Sequence, residues 1–67
     1  MYYPRLKDLR EDKDLTQKEI AAYLGTTQQV YSRYEKGIQE IPLHHFIALA
    51  KLYKVSLDYL ATLSEEK

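Results

Sequence analysis

Gln28, Gln29, Ser32, Arg33 and Lys36 are the residues of this sequence whose types and spacing could do recognition chemistry. At 100° per residue they share an arc of about 140° on one helix face, while Val30, Tyr31 and Tyr34 occupy an opposite arc of about 100°. Two adjacent side-chain amides followed one turn later by a guanidinium supply donors and acceptors that suit nucleobase edges. A glutamine can bond bidentately to N7 and N6 of adenine and an arginine to O6 and N7 of guanine, each good pair discriminating by about 1–3 kcal/mol. A helix entering the major groove end-on uses its first turns for this purpose. Taken alone, the same stripe is also what an ordinary solvated helix face displays, so the surrounding elements must decide.

Those elements read as five short helices, with no strand-like alternation anywhere. Pro4 suits the first turn of a helix running to about Lys13, with Leu6 and Leu9 inward. Thr16-Gln17-Lys18-Glu19 is a capping box that opens a second helix, with Ile20, Ala21 and Leu24 on its apolar side and Gly25 at the expected left-handed end. Thr27 is an N-cap for the third helix, which stops at Gly37. Only about two residues separate the second and third helices, so the pair must meet at a steep angle. The helix-turn-helix thus spans about residues 16–36 of one domain covering residues 1–67. Ile38 to Leu43 reads as a loop, because Pro42 disfavours helical geometry at Ile41. A fourth helix carries Phe46, Leu49, Ala50 and Tyr53 on its buried face. Ser56 caps a fifth, with Leu57, Leu60 and Leu63 directed inward and Ser64 to Lys67 a frayed tail.

Composition removes other classes. Sixty-seven residues leave little room for a core, a substrate cleft and a shell of positioning groups together, which argues against an enzyme. Ser32 and Ser56 lack plausible His and Asp partners, so no catalytic residue is expected. The chain has no Cys, and adjacent His44 and His45 point about 100° apart on a helix, so neither metal nor cofactor is expected. The longest apolar run, Phe46 to Ala50, is far short of the ~18 residues of a membrane span, and the first residues lack an apolar export segment. Ten basic and ten acidic residues cancel, so any anion-binding surface must arise from local arrangement.

The string LREDKDLTQKEIAAYLGTTQQVYSRYEKG resembles the helix-turn-helix of the lambda repressor and Cro superfamily, the Xre-type regulators, and is especially similar to lambdoid phage repressors around GTTQQ. LAKLYKVSLDYL is similar to that family's last two helices, so the resemblance runs from about Leu6 to Leu60. It implies an all-α, five-helix protein that binds double-stranded DNA as a dimer. On matching positions it implies that Gln17 contacts a phosphate and braces the first recognition glutamine. Thr27, Gln28 and Gln29 would read base edges and a thymine methyl, Arg33 a base or phosphate, with Ser32 and Lys36 near the backbone path. It further implies that Arg10 and Glu35 pair to tie the first helix to the third. Four features depart from the family pattern: the loop Gly37 to Pro42 has no Lys or Arg, Leu43 stands where a Ser or Thr cap is usual, Lys54 replaces a small turn residue, and Val30 stands where a small polar group is common, open to either a thymine methyl or the core.

Tyr31, Tyr34, Tyr53 and Tyr59 fall on inward positions with hydroxyls expected at the rim, and Tyr2 and Tyr3 are expected against the core. Leu52 and Leu63 are candidates for a dimer patch. The expected function is a cytoplasmic, nucleoid-associated regulator of bacterial or phage type. It would be most simply a repressor on a palindromic operator, with no small-molecule substrate. The alternative is a protein-interaction module, an antitoxin, anti-regulator or adaptor, on the same scaffold, suggested by the acidic and apolar loop Ile38 to Ile41.

Overall fold

The computed structural model describes residues 2–67. Five helices follow in order: α1 (Pro4–Asp12), α2 (Gln17–Leu24), α3 (Gln28–Lys36), α4 (Leu43–Tyr53) and α5 (Leu57–Leu60). Proline opens α1, and its inward residues Leu6 and Leu9 are buried. At α2 both halves of the capping box form: the Glu19 amide donates to Thr16 Oγ1 at 3.1 Å and the Thr16 amide to Glu19 Oε1 at 2.9 Å. Gly25 closes α2 and Gly37 closes α3, each at φ 74°, where a side chain would be strained. Space matters as well at Gly37, because a Cβ there would stand 2.9 Å from the Cβ of Tyr2. The segment before α1 is therefore seated against the end of α3.

The core draws one stripe from each helix. Leu6, Ile20, Tyr31, Leu49 and Leu60 are the largest side chains fully enclosed, and each contributes on the order of 1.5–3 kcal/mol through removal from water. Tyr31 meets Tyr34 edge-on at 6.3 Å, and Tyr3 packs on Phe46 at 5.0 Å. No helix among the described residues is long and apolar enough to cross a membrane.

Five expectations are corrected. Leu43 is the first residue of α4 rather than the end of the loop, and Pro42 is the N-cap, with no side chain accepting from the first-turn amides. Leu57 and Leu63 are 40% and 79% exposed instead of inward, because α5 stops at Leu60 and the chain reverses at Thr62, φ 67°. The last residues are not frayed. Arg5 donates to the carbonyls of Tyr59 at 2.7 Å and Ser64 at 2.6 Å and pairs with Glu65 at 3.2 Å, while the Ser56 amide donates to the Lys67 carbonyl at 2.9 Å. The Tyr59 ring is accordingly half-buried beneath the Arg5 guanidinium, 3.9 Å away. The hydroxyls of Tyr31 and Tyr53 do not reach the rim; both are buried without a protein hydrogen bond, because their rings lie too deep in the core. Tyr2, placed against the core by the sequence, is exposed, since it lies over Gly37 outside the apolar cluster.

Candidate functional site

Gly25, Thr26 and Thr27 are all that separate α2 from α3. The Thr26 amide bonds back to the Ala21 carbonyl at 2.9 Å and the Val30 amide to Thr27 Oγ1 at 3.2 Å, so the joint is closed on both sides by its own residues. A joint so short and so fully bonded fixes the direction of α3. The Thr27 hydroxyl oxygen accepts this cap bond, leaving its O–H and its methyl group for any outside contact.

The outer face of α3 is bare. Gln28, Gln29, Arg33 and Lys36 are exposed and Ser32 half-buried, and together with Gln17 they line an open groove of about 430 Å³. None of the side chains of Gln28, Gln29, Arg33 or Lys36 makes a hydrogen bond or ion pair within the described residues. Their donors and acceptors remain available to an outside partner. Val30 is half-buried and packs against the core, which removes it from this face.

The inner edge of α3 carries the opposite arrangement. Glu35, only 6% exposed, accepts from Arg10 Nε at 2.7 Å and Nη2 at 3.3 Å and from Gln17 Nε2 at 3.0 Å, while Arg10 Nη1 donates to the Leu15 carbonyl at 2.9 Å. α1, α2 and α3 are thereby joined through one carboxylate. Burial alone would raise the Glu35 carboxyl, but the Arg10 guanidinium and the Gln17 amide bonded to it, with the Tyr31 hydroxyl nearby, outweigh it and hold the pKa below the ordinary carboxylate value. Burial and the Glu35 charge push the Tyr31 and Tyr53 hydroxyls upward, Tyr53 to about 12.

The Gln17 side chain does not brace Gln28. Its amide nitrogen is bonded to Glu35, not to Gln28, because the buried carboxylate is a stronger acceptor within reach than an exposed side-chain amide. Sequence reasoning also missed His45. It stands half-buried with Nδ1 3.2 Å from the Tyr34 hydroxyl, so it links α4 to α3. Burial, and then His44 beside it, lower its pKa. No signal within a few residues of position 45 announces a partner on α3. No group of three or more His, Cys, Asp or Glu among the described residues is placed to hold a metal ion.

A helix-turn-helix family model matches residues 6–60. The chain is similar to the uncharacterised HTH-type transcriptional regulator YobD of Bacillus subtilis, at 36% identity over 98% of this chain and 59% of YobD. It is also similar to the cryptic phage CTXphi transcriptional repressor RstR of Vibrio cholerae, at 38% identity over 97% of this chain and 59% of RstR. A third relative, the uncharacterised HTH-type transcriptional regulator YqaE of Bacillus subtilis, is 40% identical over 90% of this chain and 52% of its own. The chain therefore spans little more than half the length of these relatives.

Proposed function

The chain belongs to the helix-turn-helix family of Xre and lambda repressor-like regulators, and from that premise we propose that it is a sequence-specific, double-stranded DNA-binding transcriptional repressor of the cytoplasm, acting at the nucleoid. The single observation that carries this reading is the outer face of α3: two glutamines, an arginine and a lysine, exposed, without internal partners, on a helix whose direction is fixed by the bonded joint before it. An α-helix with its side chains is about 10–12 Å across, and the major groove, about 12 Å wide, admits it.

In this reading Gln28, Gln29 and Arg33 contact base edges, the Thr27 methyl meets a thymine methyl, and Ser32 and Lys36 lie along the phosphates. Gln17 faces the backbone while its amide nitrogen stays on Glu35. A repressor on a palindromic operator binds as a homodimer on half-sites one helical turn apart, about 34–36 Å. The name of RstR as a transcriptional repressor supports that direction of regulation. Exposed Leu63, with half-buried Leu52, is the candidate dimer patch.

Selection of the purified protein on a random duplex library tests the reading. Enrichment of a palindrome is expected. Gln28→Ala should relax preference at one base position at a cost of about 1–3 kcal/mol, whereas Lys36→Ala should weaken all sequences alike. A second reading, the protein-interaction module, draws on Ile38 and Leu43, 72% and 67% exposed at the two ends of the loop after α3. Absence of enrichment down to low salt would favour it.

A further inference from the structure

With equal numbers of acidic and basic residues, this chain must place its few free cations well if it is to hold a phosphate backbone. Two of its arginines are committed internally, Arg10 to Glu35 and Arg5 to the C-terminal segment. The loop after α3 supplies no Lys or Arg. A second groove, of about 240 Å³, opens beside the recognition face and is lined by Tyr2, Lys7, Gln17, Glu35 and Lys36. Gln17 and Lys36 line both grooves, so the two form one continuous surface running from α3 onto α1.

Among the described residues lining the groove Glu35 is the only carboxylate, and its charge is already met by Arg10 at 2.7 Å and by the Gln17 amide. Lys7 and Lys36 are both exposed, and neither makes an ion pair within the described residues. The lining therefore carries two uncompensated positive charges. Tyr2 is fixed above them by the close approach of its backbone to Gly37, and its exposed phenol can donate to a phosphate oxygen.

Resting on the DNA-binding reading above, we propose that Lys7 and Tyr2, together with Lys36, form a second seat for a backbone phosphate of duplex DNA, extending the contact from α3 onto α1. The seat positions the protein on the duplex and carries no base preference. Lys7 is its determinant, because it is the cation that the first groove does not share.

The test is the salt dependence of binding to a duplex enriched by the wild-type protein. Lys7→Ala should flatten the dependence of log affinity on log salt by about 0.9 per protomer, about 1.8 for the dimer, and weaken binding about sixtyfold at 0.1 M salt, with the order of preferred sequences unchanged. Lys7→Arg should keep the slope, and Lys51→Ala, an exposed lysine on α4 outside both grooves, should match wild type. Circular dichroism of each variant confirms that folding is retained. An unchanged slope for Lys7→Ala, while Lys36→Ala lowers it, overturns the seat and leaves the DNA-binding reading intact. Failure of the wild type to enrich any duplex overturns both. Inorganic phosphate alone, titrated at constant ionic strength, separates a free-anion site from a duplex contact: saturable NMR shifts at Lys7 that Lys7→Ala abolishes would overturn the assignment to DNA.

Discussion

Between Thr16 and Gly37 each helix end is closed by a group of its own: the Thr16 box, Gly25, Thr27 and Gly37. Between Pro42 and Lys67 only Ser56 supplies a side-chain cap; α4 follows Pro42 with none, is closed by Lys54 held left-handed at φ 57° where the first region uses glycine, and the segment after α5 is strapped down by Arg5 from the other end of the chain. The first region is specified by neighbours in sequence and locked by one buried polar cluster. The second is specified by apolar burial and contacts across the chain. A face that must meet an outside partner at a set angle sits on the first kind of structure, where few alternatives compete with the observed backbone.

The sharpest way to break this contrast is Arg10→Ala. It leaves Glu35 buried without its cation and should cost about 3–5 kcal/mol, read as a fall in the urea midpoint, with α2 and α3 losing amide protection along with α1. A loss no greater than that of an exposed substitution would mean the cluster does not lock the region. Acid should act on the same group. Because the folded carboxyl lies below its ordinary 4.5, its contribution is complete above that value and disappears as pH falls through the folded pKa. Glu35→Gln should flatten that acid dependence.

Next in size is the pair of glycines. Gly25→Ala forces a left-handed alanine into open space and should cost about 1–2 kcal/mol, while Gly37→Ala adds the 2.9 Å approach to Tyr2 and should cost more by thermal denaturation. Equal losses would show that the segment before α1 yields easily. The smallest effect is expected in the second region, where Lys54→Gly relieves a strained residue and should raise stability by about 0.5–1 kcal/mol.

The same division explains what could be read in advance. Thr16 with Glu19, the two glycines and the 3.6-residue stripe of α3 act over three or four residues, so the bounds of α2 and α3 and the outward set Gln28, Gln29, Arg33 and Lys36 were legible. Arg5 finds its carbonyl partners 54 and 59 residues away, and no local pattern signals such a contact. Leu57 and Leu63 obeyed helical spacing, but the helix ended too early for that spacing to apply. Gln17 was placed on the right element, yet the partner of its amide depends on which acceptor the tertiary fold brings nearest. The groove between α1 and α3 was invisible because Lys7 and Tyr2 reach it only once Gly37 is in place.

On α3, holding and displaying are assigned to different side chains: Tyr31, Tyr34 and Glu35 anchor the rod, while Gln28, Gln29 and Arg33 are exposed and make no side-chain hydrogen bond or ion pair among the described residues. Exchanging the outward three for other polar residues should cost little, since surface changes away from caps and networks stay within about 0.5 kcal/mol. Such a protein can drift toward a new target, or be re-engineered for one, through variants that all fold, and selection can act on binding preference without first repairing the scaffold.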